Sequence, residues 1–294
     1  MAILVTGAAG QLGSEICARL GQRGLGVDVD QLDLTNAARI VDYFASELPD
    51  AVINCAAYTQ VDRAEREAER CRAINADAVH VMAETCRTLD IPLVQISTDY
   101  VFGGDRGRTA PYTEDDAPAP LSVYAASKLA GERHAASWRR HIVVRSCGLY
   151  AAARPGQQIA NFAQTMLRLA REREVVRVVA DQICSPTYVP NLAAAVLFLL
   201  ENGIYGTYHV VDRGAISWHG FAEELFRQAG LSARVEAIST ADYVAGRIAE
   251  GALDDAIAPR PAYSVLAATK YESLGGPPMP TWQEGIAAYL AAAR

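Results

Sequence analysis

The chain has 294 residues, is 51% hydrophobic and carries a net charge of −7, so it can bury the core of one large domain or two interlocked ones. The acidic balance and the lack of basic runs argue against nucleic acid and anionic membrane surfaces as partners, and no apolar run reaches the ~20 residues of a membrane span. The six cysteines form no CxxC pair and the first residues lack the basic region of a signal peptide, so we expect a cytoplasmic protein.

The beginning of the chain reads as a strand, a glycine turn and a helix. An apolar run at residues 3–5 leads into Gly7, Gly10 and Gly13, and a helical pattern follows as far as Gly24. In this context glycines let the backbone approach a pyrophosphate, and the helix N-terminus offers free N–H groups to it. The spacing GxxGxxG therefore predicts a dinucleotide-binding turn.

A carboxylate at the end of the second strand predicts which dinucleotide binds. Residues 27–30 end this strand about twenty residues after the glycines, where an acidic side chain usually bonds the ribose hydroxyls and disfavours a 2′-phosphate. Asp30 is the first candidate and Asp28 the second, so NADH should be at least as acceptable as NADPH. Asp33 is read either as an adenine contact or as a turn carboxylate.

Two further strands bring small and polar residues to the same edge. Residues 51–57 run out into small side chains, a charged helix is predicted at about residues 62–89, and residues 92–96 lead into Ser97 and Thr98. Such alternation of strands and helices predicts a parallel sheet with helices on both faces. The strand ends and the glycine turn should therefore converge on one crevice.

Tyr124 and Lys128 stand four residues apart on a predicted helix, after a long loop at residues 102–123. This spacing places both side chains on one face of the helix. An ammonium so close should lower the pKa of the tyrosine from about 10, which suits general acid–base catalysis near neutral pH. A hydroxyl of Ser97 or Thr98 could hold the same substrate oxygen. The spacing occurs often by chance, so its meaning depends on the rest of the chain.

The second half of the chain alternates less regularly. We expect residues 1–150 and 187–215 to form a dinucleotide-binding domain, and residues 151–186 and 216–294 a substrate domain. The Ala- and Gly-rich stretch at residues 242–259 reads as an irregular excursion with no assigned role.

Taken together, these motifs resemble those of the extended short-chain dehydrogenases/reductases, and more narrowly the dTDP-4-dehydrorhamnose reductase family. The match runs along essentially the whole chain, and the order of the motifs makes it specific. The motifs are Gly7–Gly13, Asn54–Thr59, Val61-Asp62, Ala64-Glu65, Ser97–Phe102, Tyr124, Ser127–Glu132, Asn161-Phe162, Asp181-Gln182, Pro186-Thr187, Ser217-Trp218 and Arg260-Pro261. The resemblance implies an α/β fold, a Rossmann-type doubly wound parallel sheet with a smaller interleaved C-terminal substrate domain.

The resemblance also implies an enzyme in which NADPH or NADH passes a hydride to the C4 ketone of a dTDP-4-keto-6-deoxysugar, giving dTDP-L-rhamnose. Tyr124 would protonate the oxygen, Lys128 would bind the nicotinamide ribose and tune Tyr124, and Thr98 would hydrogen-bond the ketone oxygen. The implied cofactor contacts are Gly7, Gly10, Gln11, Leu12, Gly13, Asp30, Asp33, Leu34, Ala56, Ala57, Tyr58, Tyr124 and Lys128. The implied substrate contacts are Thr98, Asp99, Val101, Phe102 and Asn161.

Four positions bear on how this sequence compares with the family. Tyr100 stands where related sugar-nucleotide dehydratases have a glutamate, which favours reduction over elimination, although epimerase-type relatives share the Thr, Tyr and Lys set. Gly148 stands where many members have a tryptophan that contacts substrate, so sugar recognition should differ. Some relatives bind magnesium at a dimer interface. Glu15 fits one such position but Pro190 occupies another, so we predict no metal site, and the family suggests a homodimer.

Two alternative functions fit the same motifs. A sister reductase acting on another dTDP-4-keto-deoxysugar is kept open by Gly148. A non-catalytic NADP-binding regulatory subunit, like the beta subunit of methionine adenosyltransferase, shares the fold and should tolerate the loss of Tyr124 or Lys128. Both residues are present together with Thr98, which favours an enzyme.

Overall fold

The structure is a computed structural model that describes residues 1–105, 107–154, 160–249 and 257–293. The strands are β1 (Ile3–Thr6), β2 (Gly24–Val27), β3 (Ala51–Asn54), β4 (Leu93–Thr98), β5 (His141–Ser146), β6 (Val175–Val179), β7 (Ile183–Cys184), β8 (Gly206–His209), β9 (Ile216–Ser217) and β10 (Arg234–Ile238). The α-helices are α1 (Gln11–Leu20), α2 (Ala37–Glu47), α3 (Val61–Ala64), α4 (Ala68–Arg72), α5 (Ala78–Leu89), α6 (Val123–Ala136), α7 (Phe162–Glu172), α8 (Val189–Glu201), α9 (Trp218–Ala229), α10 (Thr240–Ala249), α11 (Thr269–Glu272) and α12 (Trp282–Ala292). Within the described residues, no helix is long and apolar enough to cross a membrane.

Six strands pair in parallel to form the central sheet, in the order β2-β1-β3-β4-β5-β8. Thr6 at the end of β1 lies in register with Val27 of β2 on one side and Asn54 of β3 on the other. The strand order therefore reverses between β1 and β3, which is the switch point where doubly wound sheets bind ligands. This arrangement confirms the predicted Rossmann-type parallel sheet.

Apolar side chains cover both faces of this sheet. One face packs against α1 and α8 through residues such as Ile16 and Val196. The other packs against α2 and α5 through residues such as Phe44 and Met82. Burying each such side chain contributes about 1.5–3 kcal/mol. The two layers fix the sheet, and with it the positions of the strand ends that carry polar residues.

The second half of the chain supplies elements to two places. β8 pairs with β5 and α8 packs on the main sheet. In contrast, β6 pairs with β10 and β7 with β9, while α7, α9 and α12 share a core around Phe221 and Ile286. The domain limits given above stay a prediction.

The predicted long helix at residues 62–89 is broken in the structure. It consists of α3, α4, a π-helical turn at Ala73–Asp77 and α5. The π turn lies against Gly131 of α6, where a Cβ would stand only 2.1 Å from the Asn75 carbonyl oxygen. The interruption thus depends on a contact with a distant helix, which local periodicity does not report. Of the stretch at residues 242–259, the first eight residues belong to α10, and residues 250–256 lie outside the described chain.

Candidate active site

A cleft of about 780 Å³ opens at the carboxyl ends of the central strands, over the switch point. The glycine turn and the ends of β1–β5 line it, together with one face of α6. The predicted site residues that line it are Gly7, Gly10, Gln11, Leu12, Gly13, Asp33, Leu34, Ala56, Ala57, Thr98, Tyr124 and Lys128. The structure therefore brings together residues that are far apart in the sequence.

The glycine turn forms the floor of the cleft between β1 and α1. Gly7 has φ +66°, a left-handed conformation that glycine adopts without steric cost, and a Cβ there would lie 2.7 Å from the Ala56 backbone nitrogen. The Gly10 N–H donates to the Gly7 carbonyl oxygen at 3.0 Å, and α1 begins at Gln11. The helix N-terminus and its free N–H groups thus face the cleft, as an anion such as a pyrophosphate requires.

Asp28, rather than Asp30, is the carboxylate at the second strand end. β2 ends at Val27, and Asp28 Oδ2 accepts a hydrogen bond from the Ala9 N–H of the glycine turn at 2.8 Å. Asp28 lines the cleft, whereas Asp30 lies in the exposed turn that follows and does not line it. We therefore replace Asp30 by Asp28 as the ribose candidate.

Asp33, at the same end of the cleft, has its own local partners. Its Oδ1 accepts hydrogen bonds from the Thr35 N–H at 2.9 Å and the Thr35 hydroxyl at 2.7 Å. These bonds lower the pKa of the Asp33 carboxyl, which stays ionised at neutral pH. Asp33 is thus a turn carboxylate that also lines the cleft, and its contact with adenine stays a prediction.

Thr98, Tyr124 and Lys128 meet at the inner end of the cleft. Thr98 is the last residue of β4, and α6 carries the other two one turn apart, after Ser122 caps the helix by accepting the Ala125 N–H at 3.2 Å. The Thr98 hydroxyl lies near the Tyr124 hydroxyl, close enough to lower its pKa. Lys128 is buried, and its ammonium donates to the Ile96 carbonyl oxygen at 2.6 Å. A phenol, a hydroxyl and an ammonium therefore line the same part of the cleft.

The pKa of Tyr124 moves in the direction opposite to the one the sequence led us to expect. Burial raises this pKa well above its usual value, and the nearby Thr98 hydroxyl only partly offsets the effect. Burial also lowers the pKa of Lys128 to about 8, against the opposing charge of Glu132. Because Lys128 bonds a strand carbonyl, Tyr124 keeps its proton at neutral pH. A neutral phenol is the form that can donate a proton to a nascent alkoxide.

Comparison with known proteins identifies the family. The chain matches the RmlD substrate binding domain family over residues 1–294. It is 37% identical to the dTDP-4-dehydrorhamnose reductase of Mycobacterium tuberculosis H37Rv, covering 99% of this chain and 92% of that one. The crystal structure of the Bacillus anthracis dTDP-4-dehydrorhamnose reductase in complex with NADP superposes with a TM-score of 0.89 at 36% identity, covering 99% of both chains. The chain belongs to the dTDP-4-dehydrorhamnose reductase family.

A second kind of relative belongs to the same group of proteins. The chain is 35% identical to a probable dTDP-4,6-dihydroxy-2-methyloxan-3-one 4-ketoreductase of Streptomyces antibioticus, over 96% of this chain and 92% of that one. Membership of the reductase family confirms the resemblance that the motifs suggested. The relatives of this chain include ketoreductases that are named for different sugars.

The cleft of this family member fits a nicotinamide dinucleotide. Ser97 and Ser146 line it with buried hydroxyls that have no hydrogen-bond partner among the described residues. A buried hydroxyl without a partner costs free energy, so both groups suit a polar ligand that completes their hydrogen bonds. With the glycine turn and Asp28, they provide polar contacts along the length of a dinucleotide.

Ser146 is a residue that the sequence analysis missed. It ends β5 in register with Thr98 of β4, so it faces the same edge of the sheet. A parallel pairing of these two strands, which the sequence pattern already predicts, is the signal that could have identified it.

Several predicted contacts of the reductase lie outside the cleft lining. Tyr58 is buried, and its hydroxyl donates to Glu67 Oε2 at 3.0 Å. Val101 and Phe102 belong to the hydrophobic core, where the Phe102 ring stacks on Tyr112 with centroids 4.2 Å apart. None of these three residues lines the cleft, and their roles as cofactor or substrate contacts stay predictions.

The side chains of Asn161 and Asp99 also form hydrogen bonds within the protein. The Asn161 side chain caps α7 by accepting the Gln164 N–H at 2.8 Å, and it donates to Gln11 Oε1 at 3.1 Å. Asp99 is 2% exposed and bonds Thr98 and Ser264. Neither residue lines the cleft, and both stay predicted substrate contacts.

Gly148 lines the cleft in a conformation that only glycine adopts easily. Its φ is +52°, and a Cβ there would stand 2.8 Å from Cη2 of Trp218, at the start of α9. The Trp218 ring packs against Phe162, with centroids 4.6 Å apart. An indole from another element therefore occupies the space next to residue 148.

Glu15, which fits one of the family's magnesium positions, is paired with arginines. Glu15 forms ion pairs with Arg19, at 2.8 Å, and with Arg154. Within the described residues, no group of three or more His, Cys, Asp and Glu side chains is arranged to hold a metal ion. The absence of a metal site stays a prediction.

Proposed function

We propose that this protein reduces the C4 ketone of dTDP-4-dehydro-6-deoxy-L-mannose to dTDP-L-rhamnose with NADH or NADPH. The observation that carries the proposal is the convergence of Thr98, Tyr124 and Lys128 on one dinucleotide-sized cleft, with Tyr124 and Lys128 one helical turn apart. The relatives that carry the name dTDP-4-dehydrorhamnose reductase, at 35–37% identity over nearly the whole chain, support the choice of sugar.

The cofactor would be held by residues from several strand ends. The glycine turn offers N–H groups to the pyrophosphate, Asp28 offers a carboxylate to the adenosine ribose, and Ser97 and Ser146 offer hydroxyls deeper in the cleft. When bound, the reduced nicotinamide supplies the hydride for C4 of the sugar. The protein supplies binding, orientation and a proton.

The proton reaches the ketone oxygen from Tyr124. Thr98 donates a hydrogen bond to this oxygen and holds it near the phenol, and Tyr124 Oη then releases its proton to the oxygen as the C4–H bond forms. The carbonyl π bond breaks, its electron pair takes up the proton, and an alcohol results. The tyrosinate regains a proton from solvent. The positive charge of Lys128 in the same pocket favours the transient tyrosinate.

Substitution of Tyr124 tests this assignment. Tyr124→Phe should keep cofactor affinity, measured by fluorescence titration, while turnover falls by roughly 10²–10⁴, the usual contribution of a positioned general acid. Tyr112→Phe is a matched control, because Tyr112 is buried outside the cleft and should affect turnover little. Full activity in Tyr124→Phe would contradict the mechanism.

A sister reductase for another dTDP-4-keto-deoxysugar is the second candidate. The Streptomyces antibioticus relative and the glycine at position 148 favour it. Parallel assays with several dTDP-4-keto-deoxysugars distinguish the two, because the higher kcat/KM identifies the substrate. Tight cofactor binding without turnover of any of them would support the regulatory-subunit alternative.

Two further features stay predictions that rest on this function. A homodimer is the oligomer that the family suggests, and sedimentation velocity of the purified protein would test it. The expected compartment is the cytoplasm, and cell fractionation with an antibody to the protein would test that.

A further inference from the structure

Asp99 sits directly behind the catalytic threonine, with polar partners on both carboxyl oxygens. Oδ1 is 3.1 Å from the Thr98 hydroxyl oxygen, and Oδ2 is 2.5 Å from the Ser264 hydroxyl oxygen. The Cys147 thiol lies near the carboxyl group, close enough to influence its pKa. Asp99 and Ser264 are each only 2% exposed. These contacts make Asp99 a bridge between the catalytic strand and the C-terminal part of the chain.

The backbone around Ser264 is fixed on two sides. The Ser264 N–H donates to the Ile183 carbonyl oxygen at 2.9 Å, and the next residue, Val265, accepts the Tyr112 N–H at 2.8 Å. Ser264 is therefore held independently of Asp99, and its hydroxyl can fix the position of the carboxyl group.

The hydrogen bonds around Thr98 determine where its single proton can go. A hydroxyl has one proton to donate and two lone pairs to accept. The Tyr100 N–H donates to Thr98 Oγ1 at 3.2 Å and occupies one lone pair, Asp99 Oδ1 is the second partner, and the Tyr124 hydroxyl lies nearby. If Asp99 were ionised, the Thr98 proton would point at Asp99, and Thr98 could not donate to a substrate oxygen. If Asp99 carries a proton, it fills the second lone pair and frees the Thr98 proton.

We propose that Asp99 works as a neutral carboxylic acid, a positioning residue that donates to Thr98 and thereby directs the Thr98 proton toward the substrate oxygen. This inference rests on the proposed function, in which Thr98 must donate to the ketone. It reassigns Asp99 from a substrate contact to a support of the catalytic hydroxyl. Ser264 completes the arrangement by donating to the other oxygen of the acid.

The surroundings of Asp99 favour the neutral form. Its hydrogen-bond partners Thr98 and Ser264 and the nearby Cys147 thiol are all uncharged, and burying a carboxylate without a cation is costly. Burial raises the pKa of Asp99. The titratable groups that face it are Tyr100, Tyr124 and Cys147, whose pKa values burial also raises, so all three are neutral at pH 7. Arg260 is the nearby cation and acts on Tyr100.

Infrared spectroscopy tests the protonation state without any substrate. The difference spectrum between the wild-type protein and Asp99→Asn at pH 7 should contain the C=O stretching band of a protonated carboxyl group. Ser264→Ala should shift this band, because it removes a hydrogen bond to the carbonyl oxygen, whereas Ser185→Ala, a buried serine outside these contacts, should not. A carboxylate band in the first difference spectrum would overturn the proposal.

Kinetics test the positioning role. Asn at position 99 can donate from Nδ2 to Thr98 and accept from Ser264, so kcat should fall less than about threefold, while Asp99→Ala should lower kcat by roughly 10–100-fold with the KM for the cofactor little changed. Ser264→Ala should lower kcat and Ser264→Thr should restore it. Equal losses in Asp99→Asn and Asp99→Ala would contradict the proposal.

The infrared and kinetic tests separate the two proposals. If the wild-type protein reduces no dTDP-4-ketosugar, the proposed function fails, and the infrared spectrum still decides whether Asp99 is neutral. If the wild-type protein turns over but Asp99 is ionised, the proposed function stands and this inference falls.

Discussion

Asp28 Oδ2 accepts a hydrogen bond from the Ala9 backbone N–H at 2.8 Å, which ties the end of β2 to the glycine turn. This contact places a carboxylate where an adenosine ribose would lie, and a carboxylate disfavours a 2′-phosphate. We therefore expect Asp28→Ser to lower the ratio of kcat/KM for NADH to that for NADPH by at least about tenfold. Initial-rate measurements with both cofactors check this.

Asp30→Ser is the matched control for that experiment. Asp30 has the same charge but lies in the exposed turn outside the cleft, so its substitution should change the cofactor ratio less than about twofold. A larger effect at Asp30 than at Asp28 would show that the first sequence interpretation was right.

Because of the buried ammonium of Lys128, kcat/KM should fall on the basic side of its pH profile. Its pKa of about 8 means that the positive charge beside Tyr124 disappears above that pH, so kcat/KM should decline there. A pH profile of kcat/KM measures this decline. Lys128→Met should lower kcat/KM and remove its decline above pH 8. If the decline persists in this variant, a group other than Lys128 causes it.

The same pKa shift predicts how stability depends on pH. The folded-state pKa of Lys128 lies below its ordinary 10.5, so between about pH 8 and 10.5 the unfolded chain binds more protons and the contribution of this residue to stability rises with pH. Lys128→Met should therefore stabilise the protein most at neutral pH, with the gain shrinking toward pH 10. Urea unfolding at several pH values checks the trend, and a gain that grows with pH would contradict it.

Gly131 on α6 should not tolerate a side chain. A Cβ there would stand 2.1 Å from the Asn75 carbonyl oxygen, so Gly131→Ala must push α6 away from the π turn, at a cost of about 2–3 kcal/mol. Among the residues that the structure describes, none has an atom within 4 Å of the Cβ position of Gly246 on α10, so Gly246→Ala should stabilise by about 0.5–1 kcal/mol. The free energies of unfolding measure both. Equal changes in the free energy of unfolding for the two variants would contradict the close contact between Gly131 and Asn75.

Gly148 and Trp218 should behave as a coupled pair. Gly148→Ala introduces a Cβ 2.8 Å from Trp218 at a left-handed backbone position, which costs about 1–2 kcal/mol for the backbone alone. Trp218→Leu should relieve the contact, so the double variant should be more stable than the sum of the single changes predicts. A double-mutant cycle of unfolding free energies measures the coupling, and additive effects would show that the indole does not limit position 148.

The parts of the fold that the sequence predicted are those governed by local periodicity. The glycine turn, the strand that delivers Thr98 and the helix face shared by Tyr124 and Lys128 all follow from short-range patterns. Parallel pairing then places their ends at one edge, so the main catalytic and cofactor residues could be predicted together.

The features of the structure that differ from the sequence predictions depend on contacts between distant elements. β2 ends at Val27 because its partner β1 ends at Thr6, and this pairing places Asp28 rather than Asp30 at the cleft. The pKa of Tyr124 depends on its burial in the folded chain, which helix spacing does not report. Asp99, next to Thr98 in sequence, faces Ser264, which follows 165 residues later and which no local pattern connects to it.

The most direct test of the account is substrate-dependent oxidation of the cofactor. The purified protein is mixed with NADH or NADPH and dTDP-4-dehydro-6-deoxy-L-mannose, and the loss of nicotinamide absorbance is followed while the product is identified by mass spectrometry and NMR. We predict rapid oxidation that requires the sugar, is lost in Tyr124→Phe and yields dTDP-L-rhamnose. Tight cofactor binding with no oxidation in the presence of this sugar would contradict the account.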